Sequence, residues 1–260
     1  MTESNAADAG PQPLAGRVAL VAGATGPIGR ATVRALASRG ASVAALYRSD
    51  AAAAEALVAG ASDGSIVAVQ ADLTDTAALD AAVRAVEQRL GAVAILVNAA
   101  HPRLAPVPVA DASAARIRGE LAAVAAHAAL CARLVPSMRE HRYGRILYVA
   151  GALMARAVPG FGAYGAAKAA GTALTRYLAL EEGRYGIHAN VVAPGRVLDQ
   201  GDERELSPEM SAAERALRER MALPDFPTSA QVADVAVTLI ESEALTGEVL
   251  WVTGGEPIWA

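Results

Sequence analysis

Tyr164 and Lys168 stand four residues apart in the run Tyr164-Gly165-Ala166-Ala167-Lys168. On a helix that spacing places both side chains on one face. A lysine one turn from a tyrosine favours the phenolate and lowers the phenol's pKa toward a useful range. Such a tyrosine can give a proton to a carbonyl oxygen as hydride arrives at the carbon, or take one in reverse. A second group of residues suits a nucleotide. Ala22-Gly23-Ala24-Thr25-Gly26-Pro27-Ile28-Gly29 is a glycine-rich turn whose backbone N–H groups could approach a pyrophosphate, helped by the positive end of a following helix. Tight strand–helix turns also need glycine for steric reasons alone. Further along, Leu46-Tyr47-Arg48-Ser49 ends an apolar run without an acid to take a ribose 2′-hydroxyl. Arg48 could instead pair with a 2′-phosphate, which favours NADP(H) over NAD(H). The alternative is a surface arginine opening a helix.

These residues need a scaffold, and the hydrophobic pattern supplies one. Short apolar runs at 17–21, 42–47, 65–70, 92–97, 145–149, 187–193 and 248–252 alternate with helical stretches at about 28–38, up to 59, 75–90, 111–138, 163–182 and 229–241. Continuous apolar strands alternating with helices predict a parallel sheet covered on both faces. No linker divides the chain. The expectation is one α/β domain over 16–260, a Rossmann-type doubly wound parallel sheet of about seven strands, behind a flexible tail at 1–15. Residues 199–228 break the rhythm, being charged and Pro-rich, with one short amphipathic helix at 212–221.

From Arg17 to Glu256 the chain resembles the short-chain dehydrogenase/reductase family. Gly23, Ile28 and Gly29 match the family's opening turn; Ala22 replaces its leading threonine, and Pro27 takes the middle glycine position, with Gly26 displaced by one. Asp72-Leu73 resembles the pair that contacts the adenine. Asn98-Ala99-Ala100 resembles the turn after the fourth strand, with His101 where glycine is usual. Asn190 to Gly195 resembles the sixth strand and its Pro194-Gly195, followed by Val197. The resemblance implies that Tyr164 is the acid/base and that Lys168 also bonds the nicotinamide ribose. It implies cofactor contacts from Gly23, Thr25, Gly26, Ile28, Gly29, Arg48, Asp72, Leu73, Asn98, Ala99, Lys168, Pro194, Gly195 and Val197. It also implies a homodimer or homotetramer paired through the two long Ala-rich helices, and a substrate lid at 199–228. Trp259 lies where family tails come near the active site.

The remainder of the family's active site does not match. The serine position falls on Gly151, between Ala150 and Ala152, and the helical asparagine falls near Ala123. The threonine after Pro-Gly falls on Asp199, which reads as a loop residue. Losing a donor from such a site costs about 3–4 kcal/mol of barrier. His101 follows the fourth strand at the ligand-binding end of the sheet and could supply the missing donor, or be a loop residue without a role. His127, a turn beyond Ala123, reads as a core or interface residue, and Cys131 as inert. Tyr148 reads as packed on one face of its strand.

Composition narrows the classes. With 53% hydrophobic and 19% charged residues the chain builds a large core, and with 65 alanines against 4% aromatics that core is packed from small side chains. A net charge of −4 without a basic block argues against nucleic acid, and the single cysteine excludes an internal disulfide framework. The start lacks a basic and apolar leader, and the most apolar stretch, 121–135, reads as too short for a bilayer. The expectation is a cytoplasmic NADPH-dependent ketoreductase or dehydrogenase, atypical in catalysis. Its substrate would be bulky and partly apolar, of the polycyclic or aromatic ketones of secondary metabolism. A redox-neutral lyase, isomerase or cyclase, and a non-catalytic nucleotide-binding partner, remain open beside it.

Overall fold

The computed structural model describes residues 12–61, 64–102, 105–199, 208–256 and 258, with 208–211 described for the backbone. Seven strands form one sheet: β1 (Val18–Ala22), β2 (Ser42–Tyr47), β3 (Ile66–Gln70), β4 (Val93–Asn98), β5 (Gly144–Val149), β6 (Ile187–Pro194) and β7 (Val249–Val252). Their order is β3-β2-β1-β4-β5-β6-β7, and every pair is parallel. The helices among the described residues are α1 (Pro27–Ser38), α2 (Ala51–Ala59), α3 (Thr76–Leu90), α4 (Ala114–Glu140), α5 (Gly162–Glu182), α6 (Pro208–Arg218) and α7 (Ser229–Glu241). This is the doubly wound architecture the alternation of elements predicts.

The strands are apolar throughout because both faces are covered. Leu20, Leu46, Leu96 and Ile146 look toward one layer, where Leu79 and Val83 of α3 and Leu130 and Leu134 of α4 meet them. Their neighbours Val21, Ala45, Val97 and Leu147 look the other way, onto Val33 and Leu36 of α1 and Val232 and Val237 of α7. A period of two along each strand sends alternate residues to opposite faces. The chain order reverses between β1 and β4, and a crevice opens at that switch point beyond the carboxyl ends of the strands.

Three expectations change here. Of the tail at 1–15, residues 1–11 lie outside the described residues, but Leu14 is buried and its N–H bonds the Arg39 carbonyl, so this part is docked by its leucine rather than free. The apolar stretch at 121–135 belongs to a continuous helix of 27 residues, α4, which by length and composition is long and apolar enough to cross a membrane. In this fold its Leu130, Leu134 and Met138 are packed in the core instead. In the segment 199–228, residues 200–207 lie outside the described residues and the helix starts at Pro208 rather than 212.

Candidate active site

Gly23 leaves β1 with φ +76°, a left-handed conformation that favours glycine, and a Cβ there would stand 2.7 Å from the Ala100 backbone. A Cβ on Gly29 would run into the Gly23 carbonyl. These glycines are therefore demanded by the close approach of α1 to the β1 and β4 turns. Pro27 occupies the first turn of α1, where its missing N–H costs nothing. Asp50, Asp75, Ser113 and Thr228 cap α2, α3, α4 and α7 with their side chains, whereas Gly26 has none to cap α1. The N-terminus of α1 thus faces a cleft of about 310 Å³, lined by Gly23, Gly26, Ile28, Gly29 and Val197, without an internal acceptor from a cap.

A second cleft of about 670 Å³ continues from it over the ends of β1 to β4, lined by Thr25, Arg48, Asp72, Leu73, Asn98 and Ala99 among others. Arg48 is exposed at its rim, and the Arg48 carbonyl accepts a bond from Gln70 Nε2 at 2.9 Å. Asp50 also borders the cleft, but its carboxylate accepts the Ala53 N–H at the start of α2. Asp72 accepts the Thr74 N–H and hydroxyl on Oδ1, and these bonds hold its carboxyl below the usual range, with a smaller pull from Arg48. Asn98 is buried, and its Oδ1 closes the turn by accepting the Ala100 N–H. A cradle that only glycine fits and an uncapped helix end together fit the pyrophosphate of a dinucleotide.

Pro194 and Gly195 end β6 and do not line either cleft. Gly195 donates to the Val252 carbonyl, and a Cβ on it would stand 2.8 Å from Glu256 Oε2. Glu256 is buried and ion-paired with Arg156 from the segment after β5. Asp199 is not a free loop residue, since its Oδ1 accepts the Ser229 N–H at 2.7 Å and caps α7 alongside Thr228. The later part of the expected lid is also anchored: Phe226 is buried, Leu223 donates to Gly254, and Glu214 of α6 pairs with Arg196. Trp259 lies outside the described residues.

Tyr164 and Lys168 sit on the first turns of α5, Tyr164 half-buried against His101, which lines the larger cleft, and Lys168 buried. Lys168 is buried, its ammonium donates to the Val149 carbonyl at 2.7 Å, and it stands 5.0 Å from the Tyr148 ring and 5.7 Å from the Tyr164 ring. Burial pushes its pKa down to about 7, against an upward pull from Glu120. Tyr164 moves opposite to the expectation from its lysine neighbour. Burial first, and then the Glu120 charge, raise its phenol to about 12. Gly151 does face the tyrosine: a Cβ there would be 2.5 Å from Tyr164 Oη, so the phenol has closed into the space a side chain would need.

His101 packs edge-on against Tyr164 with ring centroids 4.7 Å apart. Its Nδ1 lies 2.9 Å from the Pro102 carbonyl, an acceptor, so Nδ1 carries the hydrogen. Its Nε2 lies 3.3 Å from Glu120 Oε2. Burial and the Lys168 charge lower His101 to about 4, leaving the ring neutral at pH 7. The ring's one N–H is thus held by Pro102, while Nε2 stands near Glu120 without a hydrogen bond and the ring packs on Tyr164.

His127 is a core residue, bonded to Thr175 at 3.1 Å and stacked 4.7 Å from Tyr148, whose phenol burial pushes up. Burial raises the Cys131 thiol to about 12. Cys131 is therefore expected to stay unlabelled by a thiol reagent in the native protein and to react fully after unfolding; rapid native labelling would show that the helix opens.

Sequence reasoning missed Glu120. It is buried on α4, with Oε1 3.2 Å from Arg116, whose guanidinium also donates to the Ala105 carbonyl. One signal was available: an acid two helical turns before His127 on an alanine-rich helix shares its face. Its partners, Arg116 apart, come from another element and were not readable from the helix.

A profile of the short chain dehydrogenases matches residues 17–208. The chain belongs to the short-chain dehydrogenase family. Cyclohexanol dehydrogenase of Rhodococcus sp. (strain TK6) is 32% identical, over 94% of this chain and 97% of its own. An NADPH-dependent aldehyde reductase-like protein of Arabidopsis thaliana chloroplasts is 34% identical, over 72% of this chain and 74% of its own. The crystal structure of levodione reductase superposes with a TM-score of 0.83 at 27% identity, covering 93% of this chain and 97% of that one. This short-chain dehydrogenase is thus a member of an oxidoreductase family that binds a nicotinamide cofactor and small-molecule substrates. It carries Tyr164 and Lys168 four residues apart on α5.

Proposed function

We propose that this short-chain dehydrogenase is an NADP(H)-dependent ketoreductase or alcohol dehydrogenase acting on a carbonyl or alcohol borne by a ring. The observation that carries the reading is the Tyr164–Lys168 pair on α5, with Lys168 buried and Tyr164 packed against His101, a residue that lines the cleft over the glycine turn. Bound nicotinamide supplies hydride to the carbonyl carbon, or takes it from the alcohol. Tyr164 holds the proton that passes to the carbonyl oxygen. A phenol raised to about 12 keeps that proton at neutral pH, the form that reduction needs. Lys168 supplies a cation beneath the phenol and the donor for the ribose hydroxyls. His101 holds the Tyr164 ring.

Support for a ring-borne oxygen comes from relatives named for a cyclic alcohol and a diketone. Support for NADP(H) comes from Arg48 at the rim of the cleft, and from one relative named for NADPH. The protein is proposed to work in the cytoplasm as a homodimer or homotetramer, with a second copy covering the exposed Tyr177 and Leu180 of α5. Titration with NADPH and NADH, followed by nicotinamide fluorescence, tests the cofactor; failure to bind either would sink the oxidoreductase reading. In Arg48→Ala, affinity for NADPH is expected to fall about 30-fold, near 2 kcal/mol for a charge-assisted contact, with NADH binding unchanged. Equal losses for both cofactors would remove Arg48 from that role. Gly151 in place of a hydroxyl favours a second reading, redox-neutral chemistry on the same scaffold. A ring ketone turned over without NADPH consumption would select it.

A further inference from the structure

Lys168 is the one lysine in the chain; the other 22 basic residues are arginine. Its ammonium is buried among groups that carry no compensating charge when neutral. These are Tyr164 from its own helix, Tyr148 from β5, His127 from α4 and His101 from the loop after β4. An ammonium in that position is costly unless a counter-charge shares the burial. Glu120 is the buried carboxylate on the α4 face turned to this cluster. One of its oxygens is held by Arg116 at 3.2 Å, and the other approaches His101 Nε2 at 3.3 Å without the alignment of a hydrogen bond. It lies one helical turn before Ala123, the position where the family's asparagine is absent.

We propose that Glu120 is a positioning residue of the catalytic site, the counter-ion that favours the charged form of Lys168 beside Tyr164 in a site without the usual serine and asparagine. The proposal rests on the Tyr164–Lys168 reading above. Its electrostatic sense is consistent on both partners, since the carboxylate raises the proton affinity of Lys168 and of Tyr164. Arg116 then has a defined part. It holds the carboxylate in place from the rim and ties the loop at Ala105 to α4.

A single lysine makes the test direct. Protein labelled with 13C,15N-lysine gives one side-chain resonance, and titrating it from pH 5 to 10 reads Lys168 without any substrate. The wild-type midpoint is expected near 7. In Glu120→Gln, nearly isosteric, it is expected to fall by about one pH unit. Glu120→Asp, which keeps the charge, is expected to restore most of that loss. The pH–rate profile of ketone reduction should move to lower pH by a similar amount, so that Glu120→Gln resembles wild type near pH 6 and loses about tenfold near pH 8. A Lys168 midpoint unchanged in folded Glu120→Gln overturns the proposal, as does a loss of rate equal at every pH. If Glu120→Gln fails to fold, Glu120→Asp decides: a midpoint that falls as though the charge were gone counts against it. A wild type that reduces no ketone would sink the proposed function and leave the lysine titration to stand by itself.

Discussion

Tyr164→Phe is expected to lower kcat for ketone reduction by about 10³ while leaving NADPH affinity within twofold. General acid–base groups contribute roughly 10² to 10⁴ in rate. The upper half of that range applies because few substitutes are at hand. Gly151 offers no hydroxyl, and the neutral His101 ring keeps its one N–H on the Pro102 carbonyl. The phenylalanine fills the same space, keeps the edge-on contact with His101, and removes the Oη that would crowd a Cβ at Gly151. Stability should therefore change little. Steady-state kinetics with a cyclic ketone, run beside a fluorescence titration of NADPH, separates the two effects. A variant that retains a tenth of the wild-type rate would mean that another group protonates the product, and Glu120 or His101 would have to be that group.

Lys168→Met is expected to abolish turnover and yet raise the thermal midpoint by about 5 °C. A buried ammonium carries a desolvation penalty that a methionine of similar length does not, and replacing buried ions with apolar residues often stabilises by about 1–4 kcal/mol. Against this stands the lost bond to the Val149 carbonyl, near 1 kcal/mol, so a net gain of about 2 kcal/mol is expected, or a few degrees for a chain of this size. The pH dependence fixes the sign. In the unfolded chain the lysine titrates near 10.5 and in the fold near 7. Below 7 both states hold the proton and the folded state bears the full penalty. Between 7 and 10.5 the unfolded state binds more protons, so wild-type stability rises with pH as the fold sheds its charge. The advantage of Lys168→Met should thus be largest near pH 6 and shrink toward pH 10. Thermal melts of both proteins across that range check it. A variant less stable at pH 6 would show that the bonds of the ammonium outweigh its desolvation.

Such a gain in stability with loss of function is what a strained functional site predicts, because the fold tolerates the buried charge only for the chemistry it serves. Glu120 belongs to the same account. It lessens the penalty on Lys168 by raising the amine's proton affinity, and it adds to the burial that keeps the phenol protonated.

Much of this was legible before any coordinates. The apolar runs continuous on both strand faces dictate a parallel sheet, and the helical spacing between them dictates its double winding. The glycine turn on the first strand, and tyrosine four residues before lysine, place the cofactor end and the chemical end in chain order. These signals are local, carried by periods of two and 3.6 residues and by steric demands such as that at Gly23. The sign of the Tyr164 shift was not local. The lysine one turn away pulls the phenol down, but desolvation and the carboxylate of Glu120 push it up, and both depend on how α4 packs against α5. Asp199 reads as a loop acid until α7 brings the Ser229 N–H to it. Leu14 reads as tail until the layer of α1 and α7 gives it a place to be buried. Sequence by itself determined the elements, their order and which residue types meet at the sheet's carboxyl end. Only the tertiary structure decided their protonation and their partners, because burial and charge act through space between residues that the chain keeps far apart.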